Sequence, residues 1–459
     1  MPAPDRRTFL KRAAGTMAAA AAAPVLTADM LTAAPVFATR PATGTRTGRD
    51  LELDRPPGIV AFDELAARAR RADAEDEEFW ELVKRQFPLS DGLILMNAAN
   101  LCPSPYQVQE TVFRLTRDVD EDASFQNRAK FSDLREASRS ALARLMGASP
   151  DEIAITRNTS ESNNAVLNGL TLGPDDEVVI WDQNHPTNAQ AWDVRAERWG
   201  FTVHRVSTPR NPTTADELIT PFEAAMTDRT RVIAFSHVSN VSGVELPAAE
   251  LCRRARDRGV YSHVDGAQTF GSKVVDLHAL GCDSYTGSAH KWFVGPKEAG
   301  LLYVREERVP ELWPSVVGVG YDGGPGNGAR KFDSLGQRDD AAVAAVETAV
   351  AFHEAIGPRL IEERVRALVD GIKHAVRERV PEVTFHTSDA PDRSHGVVVI
   401  VLPIENHGEV YGRLYTEHRI AGAPRGGDYP GIRFCPHLYN TMAEVERVAD
   451  VLAVEAGRA

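Results

Sequence analysis

The sequence predicts an α/β fold, with a large domain built on a mainly parallel sheet and a smaller C-terminal α+β domain. From about residue 90, short apolar runs alternate with helical patterns, which is typical of parallel strands covered by helices on both faces. A long alanine-rich helix at residues 339–356 separates this region from a last stretch with a strand at 397–402 and a closing helix at 442–455. The length of 459 residues suits one large and one smaller domain.

Seven short apolar runs are the strand candidates of the large domain. They cover residues 93–96, 152–155, 177–181, 202–206, 231–236, 261–264 and 300–304. Helical patterns such as 135–145 and 247–258 lie between them. In sheets of this kind the ligand lies at the carboxyl ends of the strands, so polar side chains that follow these runs are the functional candidates.

Four segments are predicted along the chain. They are a signal peptide at 1–38, an N-terminal linker and arm at 39–90, the large domain at 91–356 and the small domain at 357–459. Within the arm, residues 73–87 predict a helix with an acidic first turn and apolar side chains on one side. We expect its acids to form a solvated face and not a site.

The first residues resemble an export signal. The run DRRTFLK at residues 5–11 is similar to a twin-arginine motif, and 16 mostly alanine residues lie between Arg12 and Asp29. That stretch is shorter than the roughly 20 apolar residues of a membrane span, and no cysteine follows it to carry a lipid. We therefore expect the twin-arginine machinery to export the protein to the periplasm or beyond, without a stable membrane anchor. The alternative is a cytoplasmic alanine-rich helix with a basic start.

Charge and cysteine content exclude some functions. The net charge of −13 argues against a general binder of nucleic acid or anionic membranes. The four cysteines have neither a CxxC pair nor metal-type spacing, which predicts buried or unpaired thiols. They are Cys102, Cys252, Cys282 and Cys435. The alternative is one disulfide, if the protein functions in an oxidising compartment.

Two segments carry the residues on which the chemistry depends. In the first, VDGAQ, a predicted strand leads to Asp265, and Gln268 lies in the turn that follows. An acid at that place points into the ligand crevice, although it could instead cap a helix. In the second, SAHKW, Lys291 lies between a predicted turn of small residues and a Gly-Pro turn at 295–296. This position between two turns is not typical of a solvated surface lysine, although a surface lysine remains the alternative.

Together these segments resemble the aminotransferase class V superfamily of pyridoxal 5'-phosphate (PLP) enzymes. Its members include cysteine desulfurases, isopenicillin N epimerase-like enzymes, kynureninases and several transaminases. The resemblance covers roughly residues 90–455 and implies PLP-dependent fold type I and a homodimer with its site at the subunit boundary. It implies that Lys291 holds PLP as a Schiff base, that Asp265 faces the pyridine nitrogen and that Gln268 lies near the ring 3'-oxygen. A carboxylate there favours the protonated nitrogen, which makes PLP an electron sink.

The same resemblance nominates a phosphate-binding group. Thr159 and Ser160 open a helix after a predicted strand, where backbone N–H groups face an anion. Ser288 and His290 are implied to complete the phosphate cup. Simple helix capping by Thr159 or Ser160 is the structural alternative, and both roles are compatible.

Three further residues match the family pattern. His185 matches the residue that stacks on the PLP ring, and Asn240 matches an asparagine near the 3'-oxygen. Arg433 matches the arginine that binds the substrate carboxylate, for which a bidentate guanidinium is suited. A structural ion pair is the alternative for Arg433. Gln337 stands where many members have a threonine that reaches the partner's phosphate, so its part in such a contact stays open.

The predicted function is an aminotransferase that acts at the α-carbon of an amino acid or amino-acid-like small molecule. Epimerisation and C–S β-elimination stay open, because all three begin with removal of the α-proton by Lys291. The interval 419–432 has no cysteine, which argues against a persulfide route. The alternative from another class is a non-catalytic PLP- or amino-acid-binding protein, against which the presence of Lys291, Asp265 and Arg433 argues.

Overall fold

The computed structural model describes residues 58–318, 321, 325–390 and 392–457. The predicted signal peptide and the first part of the predicted arm lie outside these residues. Two helices form the described part of the arm, α1 (Phe62–Ala69) and α2 (Glu77–Arg85). Asp76 caps α2 by accepting a hydrogen bond from the backbone N–H of Phe79, and the apolar side of α2 is buried. The expected solvated face is only partly correct, because Glu77 forms an ion pair with the buried Arg364.

A seven-stranded sheet forms the centre of the large domain. Its strands are β2 (Ile153–Thr156), β3 (Glu177–Trp181), β4 (Thr202–Val206), β5 (Thr230–Ser236), β6 (Tyr261–Asp265), β7 (Ser284–Ser288) and β8 (Gly300–Val304). They are ordered β2-β8-β7-β6-β5-β3-β4. Strand β8 is antiparallel to both of its neighbours, and the other pairings are parallel. The carboxyl ends of β3, β5, β6 and β7 therefore meet at one edge of the sheet.

Helices cover this sheet and lead to the C-terminal region. They are α3 (Tyr106–Glu121), α4 (Phe125–Arg128), α5 (Lys130–Leu145), α6 (Thr159–Gly169), α7 (Pro186–Trp199), α8 (Asp216–Ala225), α9 (Ala248–Asp257), α10 (Leu277–Leu280) and α11 (Asp340–Ile356). Short 3-10 helices occupy Pro150–Glu152, Glu306–Glu311 and Pro325–Phe332. Gly357 separates α11 from the next helix with a φ of 99°, a conformation that favours glycine.

The C-terminal region has a mainly antiparallel sheet of its own. Its helices are α12 (Pro358–Arg379), α13 (His407–His418) and α14 (Met442–Gly457), and its four strands are β9 (Thr384–Phe385), β10 (Val398–Val401), β12 (Ala423–Arg425) and β13 (Gly431–Phe434). The strand order is β12-β13-β10-β9. The large sheet with this α+β region confirms the predicted fold class. Within the described residues, no helix combines the length and apolar character needed to cross a membrane.

Two strand predictions need correction. The run at 93–96 forms only β1 (Ile94–Leu95), which pairs with β11 (Ile420–Ala421) instead of joining the large sheet. Conversely, residues 284–288 are not among the predicted strands, and the small residues from Thr286 onward are predicted as a turn; the structure has β7 there. It is a fully buried strand between β6 and β8. Neighbouring strands and covering helices supply its partners, so strand formation here depends on tertiary contacts more than on local propensity.

Candidate active site

The predicted residues gather at the carboxyl edge of the large sheet. His185 follows β3 and caps α7, Asn240 follows β5, Asp265 ends β6, and Lys291 follows β7. Because these strands are parallel, residues separated by more than 100 positions become neighbours. Arg433 reaches the same region from β13, and its guanidinium donates a hydrogen bond to the Asn240 carbonyl at 2.9 Å.

Asp265 is a buried carboxylate with three hydrogen-bond donors. Its Oδ2 accepts from Asn163 Nδ2 at 3.0 Å and from Asn188 Nδ2 at 3.3 Å, and its Oδ1 accepts from the Ala267 N–H at 3.0 Å. Only 3% of the residue is exposed. These bonds hold a negative charge in one orientation at the floor of the site. Gly266 is required beside it, because an added Cβ would lie 1.9 Å from the Tyr285 ring.

Asn163, which was not among the predicted site residues, connects Asp265 to a polar network. While its Nδ2 donates to Asp265, its Oδ1 accepts from Thr286 Oγ1 at 3.0 Å and contacts His263 Nε2 at 3.0 Å. Burial lowers the pKa of His263 to about 4, so the imidazole is neutral near pH 7. A usable signal existed, because Asn163 follows Thr159 by four positions and so lies on the same face of α6.

We expect Asn163→Ala to destabilise the protein by about 1–3 kcal/mol, since it leaves Thr286 and His263 without their shared buried acceptor. The neighbouring Asn164→Ala is the matched control, because Asn164 is partly exposed and donates only to the Ser160 carbonyl. Urea unfolding of both variants checks the prediction. Equal free energies of unfolding for the two variants would contradict it.

Lys291 lies in the loop after β7 and has an electrostatic environment of mixed sign. Burial lowers the pKa of its amine, Asp265 opposes this by favouring the charged form, and Arg433 adds to the lowering. The loop is held by the Val294 N–H, which donates to the Lys291 carbonyl at 2.9 Å, and Val294 has a φ of 47°. A lysine amine with a lowered pKa is more readily neutral and therefore more nucleophilic.

The four predicted phosphate ligands occupy different environments. The Thr159 N–H donates to Ser288 Oγ at 2.8 Å, and the two hydroxyls share a hydrogen bond of 2.8 Å at the N-terminus of α6. His290 is partly buried, which lowers its pKa to about 4. Ser160 is exposed. The structure therefore brings Thr159 and Ser288 together at a helix N-terminus that favours an anion.

His185 and Gln268 lie in segments that follow β3 and β6 at the same edge of the sheet. Burial lowers the pKa of His185, and nearby Lys291 lowers it further. Its Nδ1 shares a hydrogen bond of 2.8 Å with Thr187 Oγ1. Gln268 accepts from Trp292 Nε1 at 2.8 Å and donates to the Ala99 carbonyl at 3.3 Å. Away from these residues, the exposed Gln337 accepts from Arg128 at 2.5 Å.

A second arginine, Arg425, was not predicted. Its Nη2 donates to the Asn240 carbonyl at 3.1 Å, the same oxygen that Arg433 binds. The other terminal nitrogen of Arg433 donates to Asn97 Oδ1 at 2.8 Å. The predicted alternative of a structural ion pair for Arg433 finds no support among the described residues, because its hydrogen-bond acceptors are neutral oxygens. Both arginines are therefore open to an anionic ligand.

All four cysteines are buried and free. Burial raises the pKa of the Cys102 and Cys252 thiols to about 12, and it raises the pKa values of Cys282 and Cys435 as well. Thiolate is the nucleophilic form, so none of these thiols is suited to attack sulfur. This environment agrees with the expectation of buried, unpaired thiols.

We expect a thiol reagent such as DTNB at pH 8 to modify less than about one thiol per folded chain, because the thiols are protonated and covered. The same protein in guanidinium should release four equivalents. Rapid labelling of a thiol in the folded protein would contradict the prediction.

Comparison with known proteins agrees with this geometry. The profile described as aminotransferase class-V matches residues 115–448. The chain belongs to the aminotransferase class V family. It is 33% identical over 337 residues to isopenicillin N epimerase of Streptomyces clavuligerus, an alignment that covers 70% of this chain and 84% of the relative. It is 31% identical over 397 residues to the enzyme of that name from Amycolatopsis lactamdurans, covering 81% and 98%.

Other relatives of this class V protein are described as cysteine desulfurases. A probable cysteine desulfurase of Xylella fastidiosa is 29% identical over 309 residues, covering 63% of this chain and 73% of the relative. Among solved structures, a C-DES mutant with glycine covalently linked to the PLP cofactor superposes with a TM-score of 0.73 at 25% identity, covering 81% of this chain and 98% of that one. These likenesses confirm fold type I, and the protein is accordingly a PLP-dependent enzyme.

The residues at the carboxyl edge fit PLP chemically. A cofactor with an aldehyde, a basic ring nitrogen and a phosphate needs an amine, a fixed carboxylate and an anion site. Lys291, Asp265 and the α6 N-terminus with Thr159 and Ser288 provide these three groups. The sequence resemblance therefore nominated several residues that the fold brings together, although Ser160 is exposed, and it left out Asn163, Asn188 and Arg425.

Proposed function

We propose that this class V enzyme removes and returns the α-proton of an amino acid or amino-acid-like group, with Lys291 as the base. The observation that carries the proposal is that Lys291, Asp265 and Arg433 gather at the carboxyl edge of the large sheet, where the charges of Asp265 and Arg433 both act on the Lys291 amine. An amine near both a carboxylate and a guanidinium can serve a substrate that is held by its own carboxylate. PLP, when bound, supplies an electron sink that makes the α-proton acidic.

Each residue has a distinct part in this proposal. Asp265, held by three donors, keeps a negative charge where the ring nitrogen needs it. Thr159 and Ser288 would bind the phosphate at the α6 N-terminus, and His185 would lie against the ring. Arg433 would bind the substrate carboxylate and so orient the α-carbon. Lys291 would hold the cofactor covalently, and its amine, when free, would carry the proton.

For the outcome of proton transfer, we propose epimerisation of the α-carbon. The support is that two relatives described as isopenicillin N epimerase align over most of their lengths. Desulfurization by a persulfide route is disfavoured, because burial raises the pKa values of all four thiols. Transamination, the outcome predicted from the sequence, is a second candidate that the same experiment tests.

The test is incubation of the PLP-loaded enzyme with single enantiomers of a panel of amino acids in D₂O. Epimerisation predicts deuterium at the α-carbon together with formation of the opposite enantiomer. Transamination predicts a keto acid and the pyridoxamine form of the cofactor, and elimination predicts pyruvate. Failure of the loaded enzyme to exchange any α-proton would contradict the proposal.

We also propose that the protein is exported by the twin-arginine machinery and acts as a homodimer. The support for export is the DRRTFLK run at residues 5–11 and the alanine-rich stretch after it. The support for the dimer is the class V resemblance, in which the site lies at the subunit boundary. Cell fractionation of wild-type and Arg6→Lys, Arg7→Lys proteins tests the first, and sedimentation velocity tests the second.

A further inference from the structure

Arg425 and Arg433 form an arginine pair that no carboxylate of the described residues neutralises. Both donate to one carbonyl oxygen, that of Asn240, at 3.1 and 2.9 Å. Arg433 makes one further bond, to the neutral side chain of Asn97. The Nε atoms of both arginines are buried and have no acceptor within the described part of the chain. Two guanidinium groups that share one oxygen are close neighbours of like charge.

This arrangement is costly for the protein by itself. Burying a charge without an opposite charge loses hydration that a single carbonyl does not replace. Burial, together with the adjacent Arg433, lowers the pKa of Arg425 to about 10. Arg433 is buried and Arg425 is partly buried, whereas the other two buried arginines of the described residues pair with carboxylates, Arg139 with Asp333 and Arg364 with Glu77. An arginine pair that the described residues supply with neutral acceptors alone therefore points to an anionic ligand.

The pairing of β12 with β13 places Arg425 and Arg433 on neighbouring strands. Strands β12 and β13 are antiparallel, with Ala423 opposite Arg433 and Arg425 opposite Gly431. The two arginines are therefore on neighbouring strands and displaced by two residues along the pair. Because both side chains reach the Asn240 carbonyl, they present two sets of donors in one region. If Arg433 binds one substrate carboxylate, the donors of Arg425 still have no anionic partner.

We propose that Arg425 binds a second anionic group of the substrate, so that the enzyme prefers amino acids carrying two carboxylates. This inference rests on the proposed function, in which Arg433 binds the α-carboxylate. The second carboxylate satisfies donors that a neutral side chain leaves unpaired. The preference is therefore strongest against neutral substrates of the same shape.

The test compares binding of matched amino acids to the PLP-loaded enzyme by absorbance titration. The pairs are aspartate with asparagine, glutamate with glutamine, and 2-aminoadipate with norleucine. We expect the dicarboxylate of at least one pair to bind about 10-fold or more tightly than its neutral partner. Arg425→Leu should remove that preference by weakening dicarboxylate binding about 10- to 100-fold, while neutral partners change little. Arg425→Lys should restore part of it.

Two controls separate this result from general damage. Arg253→Leu removes an exposed arginine from α9, where it pairs with Glu250, and should leave every affinity unchanged. Equal thermal midpoints for the two leucine variants show that Arg425→Leu is folded. If that variant does not fold, the preference of the wild-type enzyme and the binding by Arg425→Lys still decide the question.

Three outcomes overturn parts of the scheme in different ways. Absence of a dicarboxylate preference in the wild-type enzyme overturns this inference alone. An equal loss for dicarboxylic and neutral amino acids in Arg425→Leu also overturns it, because Arg425 would then act at the α-carboxylate. A protein that takes up no PLP, or exchanges no α-proton, contradicts the proposed function on which this inference rests.

Discussion

Lys291→Ala is expected to abolish covalent attachment of PLP and to reduce α-proton exchange by about 10³-fold or more. The physical reason is that one amine performs both tasks, and burial lowers its pKa toward the range where it is neutral and reactive. Borohydride reduction followed by peptide mass spectrometry measures the attachment. Deuterium uptake at the α-carbon measures the exchange. Because Lys291 lies in a loop and is only partly buried, the fold should survive.

Lys297→Ala is the matched control for this prediction. Lys297 lies six positions further along the chain and donates to the Cys102 carbonyl and to Ser104 Oγ, both at 3.0 Å. Burial also lowers its pKa, so a lowered lysine pKa alone does not mark the attachment site. The label should stay on Lys291 in this variant. Label on any other lysine of the wild-type protein would contradict the assignment.

Asp265→Asn is expected to lower the rate of α-proton exchange by about 10- to 10³-fold, corresponding to a loss of about 1–3 pKa units at the ring nitrogen. The amide is nearly the same size as the carboxylate, but it has no charge to favour the protonated nitrogen. It also directs N–H groups toward Asn163 or Asn188, which already donate to this residue. The exchange rate and the absorbance of bound PLP as a function of pH check the prediction.

Asp283→Asn separates loss of stability from loss of function. Asp283 is also a buried acid near the large sheet, but it accepts from the Ser262 N–H and pairs with Arg308. Its replacement should lower the free energy of unfolding without changing the exchange rate per bound cofactor. If Asp265→Asn has the wild-type exchange rate, or differs from Asp283→Asn only in stability, Asp265 has no part in the chemistry.

The predicted and observed bounds agree best for elements with a clear apolar or helical pattern. The predicted strands at 177–181, 202–206 and 300–304 have their observed bounds, and the helix at 339–356 begins one residue later because Asp339 caps it. Strand β7 was missed, since its polar residues resemble a turn. Ser160 was nominated with Thr159, yet it is exposed while Thr159 is buried, because adjacent helix positions point about 100° apart.

The sequence by itself determined the α/β class and the dependence on PLP, and it nominated Lys291 and Asp265 as the main reactive groups, because both belong to short motifs at the ends of strands. Only the tertiary structure decided which distant side chains support them. Asn163 and Asn188 meet Asp265 because α6 and α7, which contact each other, each direct an amide side chain to the end of β6, and Arg425 meets Arg433 through the pairing of β12 and β13. Such contacts depend on packing between elements, and neither periodicity nor a local motif encodes them.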